Sequence, residues 1–359
     1  MSIIKPHISA MSAYKPPLEG RNPKAYTLLD FNERTVPVSQ PIIDALQAFI
    51  GDGRLQQYPA YGDIVERLAD YAEVTSHQVM ITNGSDQGID LIFRAVAKTK
   101  AEAIIPAPTF AMYQQCANVE AMRIIEPQYT KEQGYPLREV LAAITPDTAI
   151  IVISNPNNPC GTLVTNAVVE QIAKAAPQAA ILVDECYYEY SGQSSAELLG
   201  KQDCSNIFIT RTFSKTWGIP SLRFGYILAN ADYINALCNI RGPYDINQLA
   251  VVAANAALDN PEYTEQYVRE VMHTAKPQFE AWLSKNNISY WSSQANYVWA
   301  FFDDARLMDG YLKQNNILVR AKVLNSEVGL RITIGTVEQT NNLIGVCEQF
   351  LNSMLKGKS

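Results

Sequence analysis

Residues 149–161 read AIIVISNPNNPCG, an apolar run followed by a polar loop with two Asn-Pro steps. The apolar run predicts a strand buried on both faces, because it lacks the alternation of a half-exposed strand. Similar runs recur along the chain, and helical spacing separates most of them. Strands that alternate with helices predict a mostly parallel sheet covered on both faces. The other strand-like runs of this part are 78–82, 103–105, 122–125, 180–183, 206–210 and 225–229.

The pattern changes after about residue 250. Long helical stretches are followed by short alternating strands and a closing helix, which is typical of a smaller α+β domain. These segments are 249–258, 262–285, 297–302, 317–320, 330–334 and 337–355. Regular spacing begins only near residue 63, after a Pro-rich start. We therefore predict an N-terminal arm (1–36), a large α/β domain (37–255) and a small domain (256–359).

The composition is that of a globular protein, with 47% hydrophobic and 18% charged residues in 359. A net charge of −7 disfavours nucleic-acid binding, which usually needs a basic patch. No run of about 18 apolar residues predicts a membrane span, and the N-terminus lacks a signal-peptide core. The six cysteines form no CxxC pair and the three histidines lie far apart. We expect free thiols, no metal site and a cytoplasmic location.

Polar segments stand where three predicted strands end, and ligands of open α/β sheets bind at such ends. Residues 83–88 read NGSDQG and could hold a phosphate at a helix N-terminus, although Ser85 or Asp86 could simply cap that helix. Asn158 lies in a turn stiffened by prolines, which a plain loop would also explain. Asp184 ends a buried strand, so its carboxylate needs a cationic side chain or ligand, unless it caps a turn.

Lys215 lies in the segment RTFSKTWG, residues 211–218, and Arg223 follows it. Most lysines are solvated surface residues. A lysine held in a pocket with a lowered pKa is, however, the usual Schiff-base nucleophile. The order of glycine loop, asparagine, aspartate, lysine and downstream arginine is more specific than any of these motifs alone.

In combination, these motifs resemble the fold type I pyridoxal-phosphate aminotransferases of class I and II, and within them the histidinol-phosphate aminotransferases. The resemblance extends from Tyr14 to the last helix. It implies an α/β fold whose large domain has a mostly parallel seven-stranded sheet, with a smaller α+β C-terminal domain. It also implies pyridoxal 5'-phosphate as cofactor and a homodimer with a shared active site.

The resemblance assigns a cofactor role to each matching residue. Lys215 would be the Schiff-base lysine and move the Cα proton, and Asp184 would pair with the pyridine nitrogen. Tyr187 and Asn158 would hydrogen-bond the phenolic oxygen, while Phe110 would stack on the ring. The residues implied for the cofactor phosphate are Ser85, Asp86, Thr212, Ser214 and Arg223.

The resemblance also assigns residues at the subunit boundary and around the substrate. Tyr58 would reach the phosphate of the neighbouring subunit's cofactor, which makes the homodimer obligate. Arg331 would bind the anionic end of the substrate, and Arg320 matches a second arginine typical of enzymes that accept a phosphate ester. Asn158 is implied to contact the substrate as well as the cofactor. Tyr14 would close over the substrate.

The chain departs from the family pattern in three places. Cys160 replaces a threonine in the Asn-Pro loop, a small exchange that should spare the turn. Arg34 replaces the second asparagine of an Asn-Glu-Asn-Pro segment, and we expect it to add bulk and charge at the substrate mouth. The glycine stretch after the lysine is altered to residues 217–220, WGIP.

The implied reaction is transamination between histidinol phosphate and 2-oxoglutarate, in histidine biosynthesis. An aromatic amino-acid aminotransferase is the nearest alternative, made credible by Arg34, Trp217 and Tyr244. A threonine-phosphate decarboxylase would share the motifs and the paired arginines. A non-catalytic regulator that binds pyridoxal phosphate is the fourth reading, and the acidic charge disfavours its DNA binding.

Overall fold

The computed structural model describes residues 3–13, 18–98, 100–324 and 326–356, which form two main sheets with separate hydrophobic cores. A short third sheet joins the N-terminal arm to the small domain. The strands are β1 (Thr27–Leu28), β2 (Val79–Thr82), β3 (Glu102–Ile104), β4 (Arg123–Ile125), β5 (Thr148–Ser154), β6 (Ala180–Asp184), β7 (Ile207–Thr212), β8 (Gly225–Ala229), β9 (Ser289–Trp291), β10 (Tyr297–Phe301), β11 (Ile317–Leu318), β12 (Arg320–Leu324) and β13 (Glu327–Thr333).

Helices cover both main sheets. They are α1 (Pro6–Ala10), α2 (Gln40–Gly51), α3 (Ile64–Ala72), α4 (Gly84–Val96), α5 (Ala111–Val119), α6 (Leu137–Ala143), α7 (Asn166–Ala175), α8 (Tyr188–Ser191), α9 (Ala231–Cys238), α10 (Gln248–Asp259), α11 (Glu262–Glu270), α12 (Lys276–Lys285), α13 (Ala305–Gln314) and α14 (Val337–Lys356). A π-helical turn, Val271–Ala275, joins α11 to α12. Within the described part of the chain, no helix is long and apolar enough to cross a membrane.

The large sheet has seven strands among the described residues, in the order β2-β8-β7-β6-β5-β3-β4. Only β8 runs antiparallel to its neighbours. Every residue of β5 and β6 is buried, because successive side chains point to opposite faces and both faces are covered. Ile151 belongs to a hydrophobic cluster that includes α3, α7 and α10, whereas Ile150 belongs to a second cluster that includes α4, α5 and α9. The predicted fold class, a mostly parallel seven-stranded sheet, is confirmed.

The carboxyl ends of the central strands bring polar residues to one edge. In the register of β5 and β6, Ser154 lies opposite Asp184, and in that of β6 and β7, Asp184 lies opposite Thr210. Two boundaries differ from the sequence prediction. Helix α4 already begins at Gly84, so most of the predicted phosphate loop, residues 83–88, is the first turn of that helix. Helix α2 lies in the stretch before residue 63, where regular spacing had not been recognised.

The small sheet is antiparallel, in the order β12-β13-β10-β9. Its face with Val298 and Ile332 is covered by α12, α13 and α14. The opposite face carries Trp299 and Arg331 towards the large sheet. The chain bends after β11, so that Arg320 begins a new strand instead of ending the predicted one. The domain boundaries at residues 36 and 255 stay predictions.

Candidate active site

A cavity lies at the carboxyl ends of β5, β6 and β7. Its lining includes all ten residues predicted to contact the cofactor from within one subunit. The lining residues are Ser85, Asp86, Phe110, Tyr113, Ser154, Asn158, Asp184, Cys186, Tyr187, Thr212, Ser214, Lys215 and Arg223. Residues from five separate stretches of sequence thus meet at one place, as ligand-binding residues do in open α/β sheets.

Lys215 follows β7 and lines the cavity. Its Nζ donates a hydrogen bond to the main-chain oxygen of Phe31, at 2.9 Å. Burial lowers the pKa of Lys215, and the positive charge of Arg331 acts in the same direction. An amine with a lowered pKa is neutral in a larger fraction of molecules, so Lys215 is suited to act as a nucleophile.

Asp184 is buried at the end of β6, and its oxygens accept hydrogen bonds from neutral groups. Tyr113 Oη lies 2.5 Å from Oδ2, while Thr210 Oγ1 and Cys186 Sγ lie 2.9 and 3.0 Å from Oδ1. No cationic side chain of the described residues makes an ion pair or hydrogen bond with Asp184. Burial therefore raises the pKa of this carboxyl group, although the three donors oppose the rise. A cationic ligand group would complete the site.

Tyr187 is held by two amides. Asn32 Nδ2 and Asn158 Nδ2 both donate to Tyr187 Oη, at 2.9 and 3.3 Å. Burial raises the pKa of Tyr187, so the hydroxyl stays protonated. Because the amides occupy its acceptor positions, the hydroxyl can donate its own proton into the cavity.

The first turn of α4 forms one wall. The N–H groups of a first helical turn have no partner within the helix, and they favour an anion. Arg223 reaches this wall, where Nη2 lies 3.1 Å from Asp86 Oδ2 and Nη1 lies 3.3 Å from Ser214 Oγ. Gly84 has φ +72°, and a Cβ atom there would lie 2.3 Å from Arg223 Nη2. Only a glycine at position 84 leaves space for the Arg223 guanidinium, which forms an ion pair with the Asp86 carboxylate.

Phe110 lines the cavity, and Arg331 contacts the lining residue Asn158. The Phe110 ring meets the Tyr113 ring edge-on, at 5.7 Å between centroids. Arg331 is buried, and its Nη1 donates to Asn158 Oδ1 at 2.6 Å while Nη2 donates to the main-chain oxygen of Asp30. Its Nε has no partner in the described structure. The structure therefore places Arg331 beside Asn158, as a substrate site requires.

Arg320 lies directly opposite Arg331 in the register of β12 and β13. Its guanidinium stacks over the Phe31 ring, 5.7 Å from the centroid. The two predicted substrate arginines are thus adjacent. Tyr14, the third predicted substrate residue, lies outside the described residues.

Tyr58 lies away from the cavity. It is 79% exposed and stacks on Tyr244, at 4.4 Å between ring centroids. Trp217 is also outside the cavity, packed on Phe213 and donating to Glu189. Neither Trp217 nor Tyr244 lines the cavity, so these two side chains give no support for an aromatic substrate.

The expectation for Arg34 is wrong. Arg34 points away from the substrate mouth and is only 9% exposed. Its guanidinium lies between the rings of Tyr263 and Tyr267, and Nη1 donates to the main-chain oxygen of Thr216 at 2.9 Å. The residue packs beside Gly218, where a Cβ atom would lie 2.7 Å from its Cδ. Two aromatic faces and a carbonyl stabilise its charge away from solvent.

Sequence reasoning missed four residues that contact the predicted site. Tyr113, Cys186 and Thr210 donate to Asp184, and Asn32 donates to Tyr187. Tyr113 follows Phe110 by one helical turn, which is the signal that could have identified it. Asn32 is the first asparagine of the segment that matches the family's Asn-Glu-Asn-Pro pattern, which is the signal that could have identified it, although its left-handed conformation (φ 55°) appears only in the fold.

Comparisons with known proteins agree with this geometry. The profile of the family "Aminotransferase class I and II" matches residues 25–346. A histidinol-phosphate aminotransferase 2 of Bacillus cereus is 30% identical, over 99% of this chain and 98% of its own. Histidinol-phosphate aminotransferase from Sinorhizobium meliloti, solved with pyridoxal-5'-phosphate, has a TM-score of 0.87 at 20% identity, over 99% of each chain. L-Threonine-O-3-phosphate decarboxylase from Porphyromonas gingivalis has a TM-score of 0.77 at 22% identity, over 91% of this chain and 99% of its own.

Proposed function

Since the chain belongs to the aminotransferase class I and II family, we propose that it exchanges the amino group of histidinol phosphate with 2-oxoglutarate, in histidine biosynthesis. Pyridoxal 5'-phosphate is the cofactor. One observation carries the proposal: Lys215 and Asp184 line the same cavity, and Asp184 has no cationic partner among the described side chains. A relative that aligns along nearly the whole chain bears the name of this reaction.

The cavity fits the ring of pyridoxal phosphate group by group. The buried Asp184 carboxylate would hold the protonated ring nitrogen, which supplies the missing cation. The outward proton of Tyr187 would bind the phenolic oxygen, while the Asn158 amide orients Tyr187. Phe110 would lie against one ring face, an offset aromatic contact.

The opposite end of the cavity fits the cofactor's phosphate. Ser85 and Asp86 present main-chain N–H groups in the first turn of α4, and the positive end of the helix dipole acts with them. The hydroxyls of Thr212 and Ser214 line the same wall. Arg223 adds a positive charge whose guanidinium is already held by Asp86.

Bound pyridoxal phosphate supplies an electron sink that acidifies the proton on the substrate's Cα. The chain supplies the base. Lys215 would be the amine that carries the cofactor, and its Nζ would act as the base that takes the Cα proton of the substrate and as the acid that returns it. The carbonyl of Phe31, at 2.9 Å, orients Nζ. Burial keeps a larger fraction of Nζ uncharged than for an exposed lysine.

Arg331 and Arg320 would bind the anionic ends of both substrates. Asn158 and the Asp30 carbonyl fix the orientation of Arg331, so little side-chain entropy is lost when an anion binds. Arg320 lies on the adjacent strand and adds a second charge. Tyr14 would close the substrate site from the arm.

We place Tyr58 at a subunit boundary in a cytoplasmic homodimer. Tyr58 is 79% exposed and stacks on the exposed Tyr244, and Leu55, three residues earlier in the chain, is also exposed. Such a surface favours a protein interface, since large apolar side chains gain by leaving water. Across the interface, Tyr58 would reach the phosphate of the partner's cofactor. Light scattering on the purified protein tests the dimer, and Tyr58→Phe should weaken cofactor binding in it.

Half-reactions test the substrate. The holoenzyme is mixed with histidinol phosphate, phenylalanine or threonine phosphate, and loss of the cofactor's visible absorbance is followed. Rapid loss with histidinol phosphate supports the proposal. Rapid loss with phenylalanine alone indicates an aromatic aminotransferase, and release of carbon dioxide from threonine phosphate indicates the decarboxylase. A protein that binds the cofactor yet converts none of the three would support the regulator.

A further inference from the structure

We propose that Lys322 is the third cation of a phosphate-binding subsite on the small sheet, and that it selects amino donors that carry a phosphate ester. The inference rests on the proposed function, because it concerns the anionic end of the substrate. No motif singled out Lys322, and it makes no ion pair with a carboxylate in the described structure. Observations on β9, β10, β12 and β13 support it.

The alternation of β12 places Lys322 beside the two arginines. Arg320, Lys322 and Leu324 are partly buried, whereas the two residues between them are exposed. Successive side chains of a strand point to opposite faces, so these three share one face. Leu324 packs against the cluster of Trp291, Trp299 and Phe301, which identifies that face as the one turned towards the large sheet.

Strand register sets the distances on this face. A row across the sheet joins Trp291, Trp299, Arg331 and Arg320 as successive partners. Lys322 lies opposite Gly329, two residues before Arg331, which is a diagonal position. Diagonal neighbours lie about 7–8 Å apart at Cα, within reach of a long side chain.

Gly329 leaves the position opposite Lys322 without a side chain. A Cβ atom there would lie 2.6 Å from Trp299 Nε1 and 2.8 Å from the Phe301 ring. The indole N–H of Trp299 therefore comes close to the backbone beside Lys322. Lys322 thus faces aromatic edges and an N–H donor across the strand pair.

This face contains hydrogen-bond donors without acceptors. Arg331 Nε, Trp299 Nε1 and Trp291 Nε1 are buried and have no partner in the described structure. Buried donors are normally paired, and two of these three, Arg331 Nε and Trp299 Nε1, belong to directly paired residues next to Lys322, where a ligand could supply the acceptor. Together with the Lys322 and Arg320 charges, they favour a ligand with several acceptor oxygens.

The charges favour a dianion over a carboxylate. Burial lowers the pKa of Lys322 to about 8, and repulsion by Arg331 and Arg320 adds to this effect. A carboxylate carries one charge and is satisfied by one arginine. A phosphate ester carries a charge of about −2 and three acceptor oxygens, so it offsets the mutual repulsion of three cations.

The test uses the holoenzyme and inorganic phosphate. Isothermal titration calorimetry measures phosphate binding by the wild type, Lys322→Met, Lys322→Arg and a control, Lys285→Met, whose lysine is exposed on the far end of α12. Lys322→Met should weaken phosphate binding about tenfold, as expected for one charge-assisted contact, and Lys322→Arg should keep most of it. The control should bind as the wild type does.

Kinetics with two donors give the second readout. Lys322→Met should raise KM for histidinol phosphate about tenfold and raise KM for phenylalanine much less, because only the first donor carries a phosphate. Equal phosphate affinity in the wild type and Lys322→Met overturns the subsite, whatever the enzyme's substrate. If phosphate binding depends on Lys322 but histidinol phosphate is not converted, the subsite stands and the proposed substrate is wrong.

Discussion

The Nζ of Lys215 donates a hydrogen bond to the main-chain oxygen of Phe31, although 184 residues separate the two. The two residues next to Phe31 also form hydrogen bonds with predicted site residues. The Asp30 carbonyl accepts from Arg331, and the Asn32 amide donates to Tyr187. Three consecutive residues of the arm therefore contact three predicted site residues. This segment thus contacts two residues predicted to bind the cofactor, Lys215 and Tyr187, and one predicted to bind the substrate, Arg331.

Replacing Lys215 should abolish turnover while leaving the fold intact. Lys215→Ala removes the proton carrier, whose contribution as a general acid and base is about 10²–10⁴-fold. Lys215→Arg keeps the charge but is protonated at all accessible pH values, so it should be equally inactive. Single-turnover assays measure the loss, and circular dichroism confirms the fold. Substantial activity in either variant would refute the role of Lys215.

Asp184→Asn should change the stability of the holoprotein more than that of the apoprotein. In the apoprotein, Asp184 is a buried carboxyl group without a cation, so a neutral amide should cost little stability or none. With cofactor bound, the amide cannot balance the ring's positive charge. The cofactor-induced rise in Tm should therefore shrink markedly. An unchanged rise in Tm would contradict the pairing.

The raised pKa of Asp184 predicts that the stability of the apoprotein depends on pH. The pKa of Asp184 is raised in the folded apoprotein, so its ionised form is less favourable there than in the unfolded chain. Asp184 then disfavours folding as pH rises above the ordinary carboxyl range, and protonation relieves this effect at lower pH. In the apo form, Asp184→Asn should therefore have a higher Tm than the wild type at neutral pH, and this difference in Tm should become smaller as pH falls. A constant difference would exclude this explanation.

Gly84→Ala should weaken cofactor binding through Arg223. The new Cβ would meet Arg223 Nη2 at 2.3 Å, and φ +72° adds strain for alanine. Loss of the arginine's contact with the phosphate should raise the cofactor dissociation constant by roughly tenfold or more. Gly192→Ala is the matched control, because Gly192 has φ +68° but nothing within 4 Å of the added atom. Equal effects would show that backbone strain alone is responsible.

Arg34→Met should lower stability more than it changes substrate preference. The variant loses contacts with two tyrosine rings and a hydrogen bond to Thr216, together about 2–4 kcal/mol. Thermal unfolding should show a clear drop in Tm, whereas Arg138→Met, at a guanidinium 87% exposed, should show almost none. The KM ratio of histidinol phosphate to phenylalanine should stay the same. A changed ratio would show that Arg34 does influence the substrate site.

The lowered pKa of Lys322 predicts that substrate affinity also depends on pH. Its pKa is lowered to about 8, so it loses its charge as pH rises through that value. The charged groups that lower it, Arg331 and Arg320, stay protonated there. KM for histidinol phosphate should therefore increase above about pH 8, and Lys322→Met should abolish this increase. An identical pH profile in the variant would count against the subsite.

Much of the site could be predicted from the order of motifs. The glycine loop, Asn158, Asp184 and Lys215 each follow a buried strand, and parallel strands bring their carboxyl ends together. This rule places the motifs at one edge of the sheet without any knowledge of the loops that connect the strands. The prediction for Arg34 failed because a local sequence segment does not reveal which way a side chain turns when two elements pack on it.

The sequence alone determined the alternation of buried strands and helices, and therefore the sheet and the edge at which Lys215 and Asp184 meet. Only the tertiary structure decided what surrounds them. The Phe31 carbonyl beside Lys215, the donors on Asp184 and the face shared by Lys322 and Arg331 depend on strand register and on contacts between distant segments. Periodicity is a local property that each segment carries, whereas register is fixed only when the hydrophobic faces of separate segments pack together.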